Sequence, residues 1–268
     1  MSHNTIKVVD LHHTYPDKRE ALRGISFEVQ QGESIGLVGA NGAGKSTLLQ
    51  HLVGVLQASS GSIEVGHIPV NKTTLQTIRQ KIGLVFQDSD NQLFMNRVYD
   101  DVAFGPRNYN IPEDKVDDIV KESLNRMGIE HLAERAPYKL SGGEKKSAAI
   151  ASVLAMSPDI LVMDEPTSGL DPKSRRNLIN ILGSFEHTKI IATHDMDMVI
   201  DLCDRTIILK DGLVAADGPT LEIFSDAKLL EECSLEIPLR MASCPKCSKQ
   251  SEWFLEIYLQ SIKAKEKP

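Results

Sequence analysis

Nine consecutive residues, GANGAGKST, have the types and the spacing needed to hold a phosphate group. They match G-x-x-x-x-G-K-[ST] at every fixed position and stand between a predicted strand and a predicted helix, as this pattern requires. Lys45 would reach the β- and γ-phosphates of a nucleotide, and the Ser46 hydroxyl would bind Mg²⁺. We therefore predict a nucleotide site. Its expected binding residues are Gly39, Ala40, Asn41, Gly42, Ala43, Gly44, Lys45, Ser46 and Thr47.

Two acidic residues end a second apolar stretch, ILVMDE, and could complete that site. Asp164 would hold the magnesium ion, directly or through water. Glu165 is the candidate general base for an attacking water, a role typically worth about 10²–10⁴ in rate. Taken alone, the stretch fits equally well a strand that runs into a solvated turn. Beside the glycine-rich loop it is the expected second half of a hydrolytic site.

A second glycine motif, LSGGE, offers another place for a phosphate. Ser141, Gly142 and Gly143 precede a helical pattern, so they stand at the positive end of a predicted helix and would suit a γ-phosphate. No lysine follows directly, so the motif is no copy of the first. The alternative is a plain capping box between Ser141 and Glu144.

Short apolar runs alternate with helical patterns, which indicates an α/β sheet protein. Residues 110–155 lack strand patterns and are expected to be mostly helical. The chemistry is expected within a domain of residues 1–220, followed by a partly helical tail of residues 221–268. The predicted strands are Ile25–Val29, Ser34–Gly39, Lys81–Gln87, Asp159–Glu165 and Lys189–His194, with a hairpin over Thr206–Gly218 that turns at Asp211 and Gly212.

Composition excludes several classes of protein. A formal charge of −7 and a pI near 5.6 disfavour nucleic acid as a partner. Four cysteines in 268 residues do not suggest a disulfide framework. The first ten residues lack the basic-then-apolar order of a signal peptide, and no apolar run approaches the length of a membrane span. We expect a cytosolic protein.

Taken in order, the motifs from Ile6 to Gly218 resemble the ATP-binding subunits of ABC transporters. LSGGE resembles the signature motif, Ser168–Asp171 the D-loop, Gln87 the Q-loop glutamine and His194 the switch histidine. Tyr15 falls where that family places an aromatic ring against adenine. The resemblance implies a P-loop NTPase core of α/β class, with an antiparallel β subdomain and a helical subdomain that carries the signature.

The resemblance also implies why there are two phosphate motifs. In ABC ATPases two subunits pack head to tail, so that each ATP lies between the P-loop of one and the signature of the other. The partner here would be a second copy or a paralogue. Glu165, His194 and Gln87 would serve hydrolysis, Gln87 would also meet the Mg²⁺ that accompanies ATP, and Asp171 would link the two sites.

Two residues depart from the family's pattern around the signature. Glu144 stands where many relatives have glutamine, and Ser147 where the family often has arginine. A carboxylate at the first position puts negative charge near the phosphate, which would weaken closure on ATP unless Lys145 or Lys146 offsets it. Neither change removes a hydrolytic residue, so an active ATPase is expected.

The stretch Val85–Pro106 resembles the Q-loop region of energy-coupling-factor importers, especially the cobalt and nickel members. This implies a peripheral subunit on the cytoplasmic face of the membrane, with a membrane coupling subunit and a substrate-capture subunit as partners. Vitamin uptake is the alternative cargo. The groove for the coupling subunit would be lined by Leu93, Phe94, Val98, Tyr99 and Phe104, unless these residues fill the chain's own core.

Two other functions compete with transport. A soluble ABC ATPase of translation or DNA repair usually has two fused cassettes or a long coiled-coil insert, and neither pattern is present in this sequence. A P-loop kinase would not need the signature, the D-loop and His194 in that order. In the tail, Cys244 and Cys247 have C-x-x-C spacing, but a structural zinc site needs four ligands. The apolar residues of Glu252–Leu259 predict a packed helix.

Overall fold

Two β-sheets organise residues 6–242, the part of the chain that this computed structural model describes. One is antiparallel, in the order β2-β1-β4-β5, and the other has the order β10-β9-β3-β8-β7-β6, with every pair parallel except β9 and β10. The strands are β1 (Ile6–Thr14), β2 (Glu20–Val29), β3 (Ser34–Val38), β4 (Ser60–Val65), β5 (Ile68–Pro69), β6 (Ile82–Val85), β7 (Ile160–Asp164), β8 (Thr188–Ala192), β9 (Arg205–Lys210) and β10 (Leu213–Pro219).

Nine α-helices lie in the same described residues. They are α1 (Lys45–Leu52), α2 (Leu75–Lys81), α3 (Val98–Asn108), α4 (Glu113–Arg126), α5 (Gly142–Leu154), α6 (Pro172–Gly183), α7 (Met196–Leu202), α8 (Thr220–Ser225) and α9 (Ala227–Glu232). None of the helices between residues 6 and 242 has the length and apolar character needed to span a membrane.

Strand β7 lies at the centre of the packing that positions the site. Ile160 and Val162 face the core shared with α1 and the antiparallel sheet, whereas Leu161 and Met163 face the core shared with α5, α6 and α7. A strand buried on both faces needs apolar residues at every position, which explains its uninterrupted apolar run. The run ends at Asp164, at the carboxyl edge of the sheet, where α/β proteins bind their ligands.

The predicted α/β fold, with an antiparallel sheet and a helical part, is confirmed. The helical part begins earlier than residue 110, because α3 already packs against α4 and α5. Buried apolar side chains at helical spacing hold these helices together; they include Val102, Val116, Val120, Leu124 and Ala148.

The strand predictions fall on β2, β3, β6, β7, β8 and the β9–β10 hairpin, but β1, β4 and β5 had not been predicted. The hairpin turns at Asp211 and Gly212, which both have positive φ, as a two-residue turn requires. Strand β2 starts at Glu20, five residues before the predicted Ile25, and continues through Gly24 at φ +99°.

After β10 the chain packs back onto the core. Phe224, Leu230 and Met241 are buried in the same cluster as α5, α6 and α7, so the described part of the predicted tail shares that core. Cys244, Cys247 and Glu252–Leu259 lie outside the described residues.

Candidate nucleotide site

The loop between β3 and α1 depends on two glycines for its path. A Cβ atom on Gly39 would lie 2.3 Å from the Leu209 carbonyl oxygen. Gly44 has φ +106°, and a Cβ there would lie 2.7 Å from the Ala21 oxygen. A larger residue at either position would collide with backbone, so the glycines let this loop pack tightly against two neighbouring strands.

Lys45 lies inside this loop with 7% of its surface exposed. Its ammonium group donates hydrogen bonds to the carbonyls of Gly39, at 2.6 Å, and Ala40, at 3.2 Å. Burial lowers the pKa of Lys45, whereas the negative charges of Glu165 and Asp164 act in the opposite direction. The loop therefore holds a cation with no carboxylate within ion-pair distance in the described chain, ready for an anionic ligand.

The loop borders an open cavity of about 250 Å³. The cavity brings together nine predicted site residues and three residues from β2 and the turn before it that the sequence had not indicated, Arg19, Glu20 and Ala21. The predicted site residues that line it are Asn41, Gly42, Gly44, Lys45, Ser46, Thr47, Gln87, Asp164 and Glu165. Lys45 and Arg19 could bind a nucleotide's phosphates, while the carboxylates of Asp164 and Glu165 call for a cation between them and that ligand.

The oxygens around Asp164 fit a magnesium ion. Asp164 Oδ1 is buried and has no hydrogen-bond partner among the described residues, while the Ser46 hydroxyl hydrogen-bonds the same carboxylate. Burial raises the pKa of Asp164, and the Ser46 hydrogen bond opposes this rise. No group of three His, Cys, Asp or Glu side chains in residues 6–242 could hold a metal, so an ion here would depend on the ligand's phosphates.

Glu165 follows directly in a strained conformation. Its φ of +44° costs about 1–3 kcal/mol for a residue other than glycine, and such strain concentrates at functional sites. Its buried carboxylate accepts hydrogen bonds from the Thr193 hydroxyl, at 3.0 Å, and the His194 backbone N–H, at 3.1 Å. His194 Nδ1 lies 2.8 Å from Glu165 Oε2, although the imidazole is 66% exposed. The structure thus brings together the predicted base and the switch histidine.

Tyr15 lies beside the loop and does not line the cavity. Its hydroxyl is 3.0 Å from Thr47 Oγ1, its edge meets the His13 ring, and the Arg19 guanidinium lies 4.8 Å from its ring centre. An adenine stacked on that face would displace Arg19. Adenine binding by Tyr15 stays a prediction.

The signature residues lie elsewhere. Ser141, Gly142 and Gly143 line none of the cavity beside Lys45. Ser141 caps α5 in a capping box, in which its backbone N–H and its hydroxyl both donate to Glu144 Oε2, at 2.7 and 2.8 Å. The capping box, which was the alternative interpretation of the motif, is therefore present in the structure. Ser141 and Gly142 are nevertheless exposed at the helix end.

The two lysines after the signature do not offset the charge of Glu144. Lys145 forms a 2.6 Å ion pair with Asp90, and Lys146 donates to backbone carbonyls of the Q-loop. Both ammonium groups therefore have other partners, and neither forms an ion pair with Glu144 in the described chain. Ser147 lines a separate cavity of about 470 Å³ with Gly143 and Glu144.

Asp171 caps the next helix. Its carboxylate accepts from the backbone N–H groups of Lys173 and Ser174 and from the Ser174 hydroxyl, which lowers its pKa. Sequence reasoning missed a neighbouring network, in which Arg175 of α6 donates twice to Asp195, at 2.5 and 2.6 Å. Because Asp195 follows His194, this ion pair joins the D-loop helix to the switch histidine's loop.

The residues proposed to line a partner groove divide into two groups. Leu93 and Val98 are buried in the chain's own core, so the groove prediction is wrong for them. Phe94 and Phe104 are 63% and 40% exposed, with ring centres 5.0 Å apart. Tyr99 is half-buried, and its hydroxyl hydrogen-bonds Asp117. Of these five residues, Phe94 and Phe104 are the two that form an exposed apolar patch.

Comparison with known proteins agrees with this geometry. The sequence profile of a family described as ABC transporter matches residues 22–168. A Geobacter sulfurreducens protein assigned to the ABC transporter ATP-binding proteins is 56% identical over 249 residues, covering 93% of this chain and all of the relative. The energy-coupling factor transporter ATP-binding protein EcfA of Methanothermobacter thermautotrophicus is 45% identical, covering 87% of this chain and 76% of its own length.

Two solved structures share the fold. The structure of cbiO1 from Clostridium perfringens, part of the ABC transporter complex cbiONQ, superposes with a TM-score of 0.76 at 41% identity and covers 86% of this chain and 94% of its own. A dimeric structure of MJ0796, a bacterial ABC transporter cassette, superposes with a TM-score of 0.74 at 27% identity, covering 80% and 98%.

Proposed function

This chain belongs to the ABC transporter family as an ATP-binding ATPase subunit, and from that premise we propose that it drives an energy-coupling-factor importer. The observation that carries the proposal is the cavity beside Lys45, where the loop lysine, Asp164 and Glu165 meet at one edge of the sheet. The identities to EcfA and cbiO1 support the importer type. The proposed place of action is the cytoplasmic face of a membrane, reached through a membrane partner.

Each residue of the cavity has a proposed part in hydrolysis. Lys45 binds the β- and γ-phosphates and neutralises charge that develops on them. Ser46, Asp164 and Gln87 would hold Mg²⁺, which supplies a Lewis acid for the phosphate oxygens. Glu165 accepts the proton of the attacking water. His194, whose Nδ1 lies 2.8 Å from Glu165 Oε2, orients that carboxylate and senses the γ-phosphate.

The signature completes a site on another subunit. Ser141 and Gly142 are exposed and line no part of their own chain's cavity, so this helix end is open to an ATP held by a partner, for which the Ser141 hydroxyl would have to release Glu144. The dimeric form of the related cassette supports such an assembly. ATP then holds two subunits together, and hydrolysis removes the phosphate that bridges them.

The exposed pair Phe94 and Phe104 is the proposed contact with the membrane coupling subunit. It lies on the segment that leads from Gln87, so a partner bound there would sense the state of the nucleotide site. Phe94→Asp should leave the thermal unfolding temperature unchanged and abolish co-purification with membrane proteins. Leu239→Asp, at a position that is 83% exposed elsewhere, is the matched control. A Phe94→Asp protein that still co-purifies would contradict the assignment.

The proposed cargo is a cobalt or nickel ion. Its support is the likeness of Asn91–Asn108 to the metal-importing branch, together with the relation to cbiO1. Removing the chain from cells should lower their cobalt or nickel content when the metal is scarce, and excess metal should restore growth. Unchanged metal content, with growth restored by a vitamin, would assign the cargo to the vitamin-importing relatives. Purification without any membrane partner would favour a soluble ATPase.

A further inference from the structure

A buried lysine joins the signature helix to the Q-loop. Lys146 is 3% exposed, and its ammonium group donates to the carbonyl oxygens of Gln87, at 2.6 Å, and Phe86, at 3.3 Å. The backbone of Gln87 is thus held by helix α5, while the same residue lines the nucleotide cavity. Lys146 therefore connects α5, the helix proposed to contact an ATP on another subunit, with the cavity proposed to hold this chain's own ATP.

Burial of the charged ammonium group of Lys146 is energetically unfavourable. No carboxylate in residues 6–242 lies within ion-pair distance of it, and burial lowers its pKa, against the more distant charges of Asp164, Asp88 and Glu165. Lysine is rarely buried without a charged partner, and an apolar side chain of similar length would stabilise the fold at least as well. The contact with the Q-loop backbone is what the ammonium group provides.

Two further contacts tie the same helix to the segment of residues 86–92. The Gln92 amide donates to the carbonyl of Ala149, at 2.7 Å, and its oxygen accepts from the N–H of Phe86, at 3.2 Å. Lys145 pairs with Asp90 near the surface. The contacts of Lys146, of Lys145 and of Gln92 with Ala149 each have one side on α5, and the Phe86–Gln92 bond lies within the segment, so the segment and the helix are linked and can move together.

We propose that Lys146 is a positioning residue that couples the two nucleotide sites of the dimer. When the signature closes on a partner's ATP, α5 shifts, and Lys146 carries the Gln87 backbone with it. Gln87 already lines the cavity with Asp164, and the shift of α5 would move it into its position for hydrolysis only when the opposite site is occupied. The inference rests on the proposed function, because it needs the signature to bind an ATP held by another subunit.

The first test measures the link itself, without turnover. Lys146→Met keeps the side-chain length and removes the charge. It should speed hydrogen exchange of the backbone amides of residues 86–92 by about tenfold, the low end of a lost charged hydrogen bond. Lys145→Met, which breaks only the Asp90 pair, is the control and should change exchange much less. Equal exchange in Lys146→Met and the unchanged protein would overturn the proposal.

The second test measures coupling. Lys146→Met should lower kcat about 10- to 100-fold, as expected for a misplaced catalytic group, with little change in KM for ATP and a Hill coefficient near one. In a Gln87→Ala background the same substitution should lower kcat less than about twofold, because residues that act through one another are not additive. Additive losses would overturn the coupling role.

Two controls keep the outcomes separate. If methionine at this position prevents folding, Lys146→Leu, which likewise removes the ammonium group, replaces it in both tests. If the protein without any substitution hydrolysed no ATP, the proposed function would be contradicted. The exchange measurement would still decide whether Lys146 holds the Q-loop. Faster exchange with unaltered kcat and Hill coefficient would also overturn the coupling.

Discussion

The two glycine motifs of this chain use the same chemistry in opposite surroundings. The loop at Gly39–Thr47 is enclosed, with a buried lysine at its centre and acidic residues opposite. The signature at Ser141 is an exposed helix end whose hydroxyl already donates to Glu144. A phosphate bound in the loop would lie beside the ammonium group of Lys45 and near Asp164, the proposed magnesium ligand. At the signature it would find helix N–H groups and a carboxylate competing for the serine.

This difference indicates a division of labour between the motifs. The loop, Asp164 and Glu165, together with Gln87 and His194 beside them, contain the groups proposed to carry out hydrolysis, so they determine binding and chemistry. The signature has neither a metal ligand nor a base, so its contribution is to report that ATP is present and to complete the enclosure. Substitutions in the two regions should therefore impair different properties: ATP binding and proton transfer at the loop and its acids, and closure of the site at the signature.

The largest effect is expected within the enclosed site. Glu165→Gln keeps the size of the side chain and one of the two acceptor oxygens used by Thr193 and the His194 backbone, but it cannot accept a proton, so turnover should fall by about 10²–10⁴ while ATP still binds. The ATP-bound dimer should accumulate, which size-exclusion chromatography with and without ATP would detect. A variant with normal turnover would remove Glu165 from its role as base.

At the signature, Ser141→Arg should stop turnover without affecting ATP binding by the single chain. Losing the donors that enclose the phosphate should cost about 10²-fold in kcat, the usual effect of one missing donor to a developing charge. Fluorescent ATP binding and steady-state hydrolysis would separate the two properties. Full activity of this variant as a single species would contradict the division of labour.

Mixing two inactive variants sharpens that test. In a dimer of one Ser141→Arg chain and one Lys45→Ala chain, one site keeps an intact loop and an intact signature. Random pairing of a self-associating chain should then restore activity, up to about a quarter of the original if the two sites work independently, and less under the proposed coupling through Lys146, because the opposite site is inactive. Any recovery on mixing would support a site shared by two chains, whereas a full quarter would contradict the coupling.

Removal of the Lys45 side chain should weaken the binding of ATP. Lys45→Ala removes the buried ammonium group, and a lost charged hydrogen bond of about 1.5–3 kcal/mol corresponds to roughly 10- to 150-fold weaker ATP binding. Titration with fluorescent ATP in the presence of Mg²⁺ would measure it. Unchanged affinity would mean that the glycine-rich backbone alone holds the phosphates.

The enclosed region was the more predictable of the two. Its motif, its place after a buried strand and the acids of β7 are all local patterns, and the structure brings these residues to one cavity. Arg19, Glu20 and Ala21 were missed because they reach the cavity from a different sheet, and nothing in their spacing indicates it. The partners of Lys145 and Lys146 were missed for the same reason, since they lie more than fifty residues away in sequence.

The fold shows the same limit. Buried strands such as β7 are continuous apolar runs and were predicted, whereas β1 has polar residues at Lys7, Asp10 and both histidines and an irregular register with its neighbours. Its strand conformation comes from pairing on both sides with β2 and β4. Leu93 and Val98 likewise have the composition of a binding surface and belong to the core, which only packing decides.

The smallest effect is expected at Glu144, where the two regions differ most in charge. Glu144→Gln removes the negative charge beside Ser141 and leaves a weaker, neutral acceptor, so the serine hydroxyl turns more readily to a phosphate. A charge at a helix N-terminus is worth about 0.3–1 kcal/mol, so KM for ATP should fall roughly 2- to 5-fold. The same change weakens the capping box, so the variant should unfold at a slightly lower temperature while binding ATP better.

The pH dependence of that stability loss separates the two effects. Hydrogen bonding from the Ser141 backbone and hydroxyl lowers the pKa of Glu144. A depressed carboxyl pKa stabilises the fold above the unfolded value of about 4.3 and loses that contribution as pH falls through the folded pKa. The difference in unfolding temperature between the unchanged protein and the variant should therefore be constant from about pH 8 to pH 5 and shrink only below about pH 4. If the difference vanished by pH 6, or if KM for ATP rose in the variant, Glu144 would not be the competitor that weakens the signature's hold on phosphate.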